Sequence, residues 1–371
     1  MLDFLRPTHP FEFHVLRLVA EAQHGGGDVF DIARLCRGLE PDDKEGWERG
    51  WLNLAETTEA NAKRALAAGR QQTAMENFFH ANQYYRMSDV LLGAADMAKK
   101  TQRFLKAQEN FRAAARLHSP SIEVITVRCG DEVYDGYFCH PVNPKPGPWP
   151  AIFFIGGADA YAEEIYFAGR EMVARGWALL LVDTPGRGSS HYVKNIPTRP
   201  DYEVPAKSCI DYLVSRPEVD PKRIAIFGIS MAGYYAPRAA AFDSRIKALV
   251  CWSGCHSVLD DLYLFCKHLQ PTLQRILGGV TDAQAREQLK SFTMEGMARN
   301  ITCPTLITHG GEDRLMSVEG AKRLFAALGC ADKTLKIHDD PTAGGTIHCS
   351  HDHWAQNVPF MLDWLEKRLY Q

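Results

Sequence analysis

Residues 223–241, RIAIFGISMAGYYAPRAAA, decide how the whole chain is read. Ile224–Phe227 is a short apolar run of the kind buried in a parallel sheet. Gly228-Ile229-Ser230-Met231-Ala232-Gly233 follows as a tight turn, and an alanine-rich helix comes after it. Strand, sharp turn and helix in that order form the setting of a nucleophile elbow. Such a turn requires small residues two before the serine and two or three after it. Ser230 is then held in a strained conformation at the head of a helix, where the helix N-terminus and the Met231 amide face any developing negative charge. The plainer reading is a serine that caps a helix after a buried strand. Where the pattern usually ends in glycine, this chain has Ala232, with Gly233 behind it.

Working outward, apolar runs alternate with helical patterns on both sides of this stretch. AIFFI (151–155) precedes a helix over roughly 162–175, and WALLLVD (177–183) precedes one over roughly 202–215. After the Ser230 helix come IKALVCWSG (246–254), a helical insertion over about 257–299, PTLITHGG (304–311) with a helix behind it, TLKIHDD (334–340) and a closing helix over 353–370. The pattern predicts an α/β fold, with a mostly parallel sheet covered by helices on both faces. SIEVITVRCGDEVYDGYFCHP (121–141) alternates like a hairpin turning at Gly130-Asp131.

Upstream of Ser119-Pro120 the texture is helical throughout. Trp47, Trp51, Leu54 and Ala55 fall at helical spacing, and Gly69 suits a helix end. No fixed 34-residue period supports tetratricopeptide repeats. The expected division is a helical cap or docking domain over 1–118 and a catalytic domain over 119–371, with the insertion at about 257–299. The cap and the insertion are expected to roof a cleft and exclude water. Phe78, Phe79, Tyr84 and Tyr85 could line it, although an aromatic stripe on a helix is more often core.

Ligands in such sheets bind beyond the carboxyl ends of the strands, and the candidate residues fall there. A triad on this sheet needs an acid and then a histidine in chain order. Asp313 lies in the Gly-rich turn of LITHGGEDRLMS; its plainer role is a loop carboxylate or cap. GGTIHCSHDHW brings His348, His351 and His353. Loop position and flanking glycines favour His348 as the base, and the other two are expected to be solvated or capping. His348, Cys349, His351, Asp352 and His353 also have ligand chemistry, but their spacing matches no closed zinc site, so neither metal nor cofactor is expected. The oxyanion hole should combine the Met231 amide with that of Gly157 or Ala158 from the loop after AIFFI. GGADA is neither GxGxxG nor a Walker motif, which argues against phosphate cradling. In LVDTPGRGSS, Asp183 ends a strand and Arg187 is either a substrate contact or a solvated loop arginine.

The composition fits a globular enzyme. The chain has 371 residues, 46% hydrophobic and 23% charged, with a formal net charge of −3. That balance gives no reason to expect nucleic acid or an anionic membrane surface as partner. Asp3, Arg6, His9, Glu12 and His14 interrupt the opening stretch, which therefore reads as mature protein rather than a signal peptide. No stretch approaches the ~18 apolar residues of a membrane span. Ten cysteines without a CxxC pair suggest reduced thiols and a cytoplasmic location.

Taken together, Gly-Gly-Ala-Asp, Asp-Thr-Pro-Gly-Arg-Gly, the Ser230 elbow, His-Gly-Gly-Glu-Asp and Gly-Gly-Thr-Ile-His-Cys resemble the α/β-hydrolases over roughly residues 120–371. The likeness is to the branch of 2,6-dihydroxypseudooxynicotine hydrolase, the fungal yellowish-green pigment polyketide hydrolases and the fermentation-respiration switch esterase-like proteins. The helical N-terminal domain also matches that branch in type.

The resemblance implies Ser230 as nucleophile, Asp313 as acid and His348 as base. It implies cleavage of a carbon–carbon bond beside a ketone in an aromatic or polyketide-like small molecule, or hydrolysis of an ester, and it suggests a homodimer. It also implies an auxiliary acid in CWSGCHSVLDDLY, at Asp260 or Asp261, where family members can carry the longer glutamate. A carboxylesterase or thioesterase, and a catalytically silent binding protein, are the rival readings. A peptidase fits less well, because the N-terminal block shows no propeller-like strand repeats.

Overall fold

A computed structural model describes residues 11–40 and 42–370. Asp3, Arg6 and His9 lie outside the described residues. The chain forms two compact units: residues 1–123 with 166–170, and residues 124–165 with 171–371.

The first unit is built from α1 (Glu12–Ala22), α2 (Val29–Cys36), α3 (Lys44–Ala67), α4 (Gln71–Asp89) and α5 (Met97–Leu117). Asp28 caps α2 through the amides of Phe30 and Asp31, and Asp43 caps α3 through Gly46. Gly69 closes α3 at φ +74, as its position after the periodic run suggested. Trp47 and Trp51 are fully buried, and the Trp47 indole donates to the Met87 carbonyl at 2.6 Å. The aromatic residues of α4 belong to this core. The Tyr84 hydroxyl accepts the Asp28 amide at 2.9 Å, the Tyr85 hydroxyl donates to Glu59 at 2.5 Å, and Phe79 packs against Phe111. Phe78 is buried as well. Tyr84 is thus accounted for by packing and capping within the helical unit, the ordinary fate of a buried tyrosine.

The second unit holds most of β1 (Ile122–Cys129) and of α6 (Ala162–Ala174), whose residues 166–170 belong to the first, together with β2 (Glu132–Cys139), β3 (Trp149–Ile155), β4 (Ala178–Val182), α7 (Gly188–Tyr192), α8 (Glu203–Ser215), β5 (Val219–Ile229), α9 (Ala232–Ala240) and β6 (Ile246–Trp252). It continues with α10 (Gln270–Ile276), α11 (Asp282–Leu289), β7 (Thr305–Gly310), α12 (Val318–Ala327), β8 (Lys333–His338) and α13 (Trp354–Leu369). The sheet order is β1-β2-β4-β3-β5-β6-β7-β8. β2 runs antiparallel to β4, and every pairing from β4 through β8 is parallel. The chain steps from β3 out to β4 and then returns to β5 on the other side of β3. The strand order therefore reverses at the β3/β5 boundary, where an open α/β sheet leaves a crevice for ligand.

The core strands contain the apolar runs, with Phe154 beside Phe227 across the β3/β5 ladder. The 257–299 insertion opens with a π turn over Leu259–Tyr263 and places Leu273, Ile276, Leu289, Phe292 and Met294 in the sheet unit's own core. No helix among the described residues is long and apolar enough to cross a membrane. All ten cysteines are free.

Candidate active site

Ser230 follows β5 directly, with φ +59. A non-glycine residue there is strained and must be held by its surroundings. The Ser230 amide donates to the Trp252 carbonyl at 2.8 Å, and the Gly233 amide donates to the Ser230 carbonyl at 2.7 Å. The glycine requirement has a steric cause. A Cβ at Gly228 would strike the Ala232 carbonyl, and one at Gly233 would strike the Ser253 carbonyl. Gly233 is therefore the crowded position after the serine, while the buried Ala232 side chain fits the core.

Asp313 lies in the turn after β7. Its Oδ1 accepts the amides of Leu315 (2.8 Å) and Met316 (2.9 Å), which fixes the carboxylate. Its Oδ2 accepts His348 Nδ1–H at 2.6 Å, and His348 Nε2 lies 2.8 Å from Ser230 Oγ. A carboxylate only accepts, so the neutral ring carries its proton on Nδ1 and leaves Nε2 to accept the serine hydroxyl. Burial disfavours charge on His348, but the Asp313 carboxylate outweighs it and holds the imidazole well above the usual histidine range. Burial likewise works against ionised Asp313, and His348 overrides it, lowering the carboxyl below its ordinary value.

The loop after β3 meets the elbow from the adjacent strand. A Cβ at Gly157 would lie 2.9 Å from Ser230 Cβ and 3.1 Å from Oγ, so the backbone approaches the serine as only glycine permits. Ala158 is buried in the core. Met231, the residue after the same serine, is the N-cap of α9. Asp183 holds the surrounding loops, accepting the Ala162 amide (2.8 Å) at the start of α6 and the Ser189 amide (2.7 Å) in α7.

Several residues are placed differently from what the sequence suggested. Arg187 is 4% exposed and is neither solvated nor open to substrate, because its guanidinium is bonded to backbone carbonyls. Asp261 is fully buried, its Oδ2 accepting the amides of His256 and Ser257 at 2.8 Å each while Oδ1 pairs with Arg323. Asp260 accepts the Ser257 hydroxyl at 2.8 Å. Neither carboxylate is paired with a triad residue. His351 is buried against Trp354 rather than solvated. His353, by contrast, matches the expectation: it is partly exposed at the N-cap of α13, its ring bonded to the Ala343 carbonyl. Asp352 accepts the Gly345 amide, so the ligand-capable cluster turns toward separate partners.

One contributor was missed. His309, the penultimate residue of β7, donates from Nε2 to the Met316 carbonyl at 3.0 Å and lies 3.4 Å from Asp313 Oδ2. Burial lowers its pKa and keeps it neutral. A histidine four residues before the acid was the available signal, but inside an apolar strand it reads as core.

A family model described as "Esterase FrsA-like" matches residues 44–370. The "Alpha/beta hydrolase gkaG" of Penicillium citrinum is 33% identical over 384 residues, 90% of this chain and 86% of that protein. The "Hydrolase pyiE" of Pyricularia grisea is 34% identical over 67% of this chain, and the chain spans 58% of that relative's length. In fold, the chain is similar to the crystal structure of 2,6-dihydroxy-pseudo-oxynicotine hydrolase, with a TM-score of 0.83 at 24% identity over 95% of each chain.

Proposed function

Because this chain belongs to the FrsA-like esterase family, an α/β-hydrolase family, we propose that it hydrolyses a small-molecule carbonyl compound through a Ser230–His348–Asp313 triad. The observation that carries the reading is the continuous chain of contacts from Asp313 Oδ2 through His348 to Ser230 Oγ, at 2.6 and 2.8 Å. Ser230 Oγ bonds to the carbonyl carbon, its proton passes to His348 Nε2, and the carbonyl π pair moves to oxygen. The amides of Met231 and Gly157 receive that oxyanion. When the oxyanion collapses, the bond to the leaving group breaks and that group takes the proton from His348. A water molecule gives His348 a proton and attacks the acyl carbon, and Ser230 leaves with that proton as the acid is released.

With Asp260 and Asp261 engaged elsewhere, His348 is the acid placed to protonate the leaving group. That favours a leaving group that one imidazolium can protonate as it departs: the alkoxide or thiolate of an ester or thioester, or the ketone enolate released when a 1,3-dicarbonyl is cleaved. Carbon–carbon hydrolysis is thus proposed for aromatic or polyketide-like 1,3-dicarbonyl compounds rather than for simple ketones. Parallel assays of a p-nitrophenyl ester and a 1,3-diketone test this. The wild type should cleave the ester, and any diketone cleavage should yield one carboxylate and one ketone. Both activities should vanish in Ser230→Ala; no turnover of either substrate class, or turnover surviving in that variant, contradicts the reading.

A further inference from the structure

We infer that Arg187 is a positioning residue for the oxyanion hole, acting through the Gly156 and Gly157 peptides; the inference rests on the serine-hydrolase reading above. Arg187 Nε donates to the Gly156 carbonyl at 2.9 Å and to the Gly157 carbonyl at 3.1 Å. Nη1 donates to Thr184 Oγ1 at 3.2 Å and to the Pro185 carbonyl at 3.0 Å. The guanidinium carbon lies 4.1 Å from the Tyr235 ring centroid and 5.5 Å from that of Tyr202. Four hydrogen bonds to two loops and contacts with two rings fix one planar group.

The consequence follows from peptide geometry. In a planar trans peptide, the C=O of one residue and the N–H of the next point in opposite directions. Pulling the Gly156 carbonyl toward Arg187 turns the Gly157 N–H away from it, and pulling the Gly157 carbonyl does the same for the Ala158 N–H. Gly157 is pressed against Ser230, whose Oγ lies 3.1 Å from where a Cβ on Gly157 would sit. Arg187 therefore selects which face of these two peptides meets the substrate oxygen.

Its charge points the same way. A buried cation is normally paired, yet among the described residues Arg187 has no carboxylate partner, and its Nη2 is buried without a hydrogen-bond partner. Carbonyl dipoles and aromatic faces are its partners at rest. A charge-assisted bond to a carbonyl polarises that peptide, making its N–H a stronger donor. The negative charge that complements Arg187 arises on the substrate only during the reaction, which is the condition for lowering a barrier rather than tightening ground-state binding.

Arg187→Met and Arg187→Lys would be compared with the wild type in steady-state ester hydrolysis and in inhibition by an arylboronic acid, which forms a tetrahedral anionic adduct with a serine. Losing one direct oxyanion donor costs about 10²–10³ in kcat. An indirect support should cost about 10-fold or more in Arg187→Met, with KM within about 3-fold of the wild type and boronate affinity falling in parallel with kcat/KM. Arg187→Lys keeps the charge but not the planar fork, so it should fall between the two. Unchanged kcat and boronate affinity in folded Arg187→Met, or a loss confined to KM, overturns the inference. If Arg187→Met does not fold, wild-type kcat and boronate affinity in Arg187→Lys overturn it. Failure of the underlying reading looks different, because the wild type itself would then bind no boronate and Ser230→Ala would retain activity.

Discussion

His348 is subject to opposing influences, and the balance makes two predictions about pH. Its imidazole is held well above the ordinary value of 6.5, and Asp313 below the ordinary 3.8. The base works only when neutral, so the ascending limb of kcat/KM against pH should lie above 6.5. Stability runs the other way. A raised histidine pKa contributes fully below the unfolded value and is lost as pH rises through the folded one. The lowered Asp313 pKa contributes above 3.8 and is lost as pH falls through its folded value. In urea unfolding, the wild type's advantage over His348→Gln should therefore shrink as pH rises past neutrality, while activity climbs; a pH-independent advantage contradicts this. The three residues could be picked out because each follows an apolar run in a turn rich in small residues. Arg187 and His309 could not be read in the same way. A loop arginine carries no local sign that its guanidinium will be buried under neighbouring carbonyls, and a strand histidine looks like packing.

At the scale of elements, the turn after β6 is where sequence and structure part most. CWSGCHSVLDDLY offered two carboxylates in the neighbourhood of an auxiliary acid, but spacing alone says nothing about which way a side chain turns. Asp261 turns inward and ties the amides of His256 and Ser257 to Arg323 on α12. Asp261→Asn should accordingly lower the melting temperature, since weakening such bonds to a buried charge costs about 1–3 kcal/mol. It should leave the pH profile and the ester-to-diketone ratio unchanged. Selective loss of diketone cleavage at wild-type stability would restore the auxiliary-acid role. The long elements were readable from periodicity alone. α7, five residues of GSSHY, carries no periodic signal and is held by the buried carboxylate of Asp183 at the end of the preceding strand.

For the whole molecule, the alternation of runs and helices specified a parallel sheet but not its order. That β3 lies between β4 and β5 is a crossover, invisible in local pattern, and it puts the Gly156–Gly157 loop beside Ser230. The acid and the histidine come from β7 and the loop beyond β8, so the constellation spans 118 residues between Ser230 and His348 and depends on the sheet to close it. Whether that constellation is reactive is measured most directly by fluorophosphonate labelling followed by peptide mass mapping. A single adduct on Ser230 is predicted, absent in Ser230→Ala and formed at least ~10²-fold more slowly in His348→Gln. An adduct on another residue, no adduct at all, or wild-type labelling in His348→Gln would contradict the account.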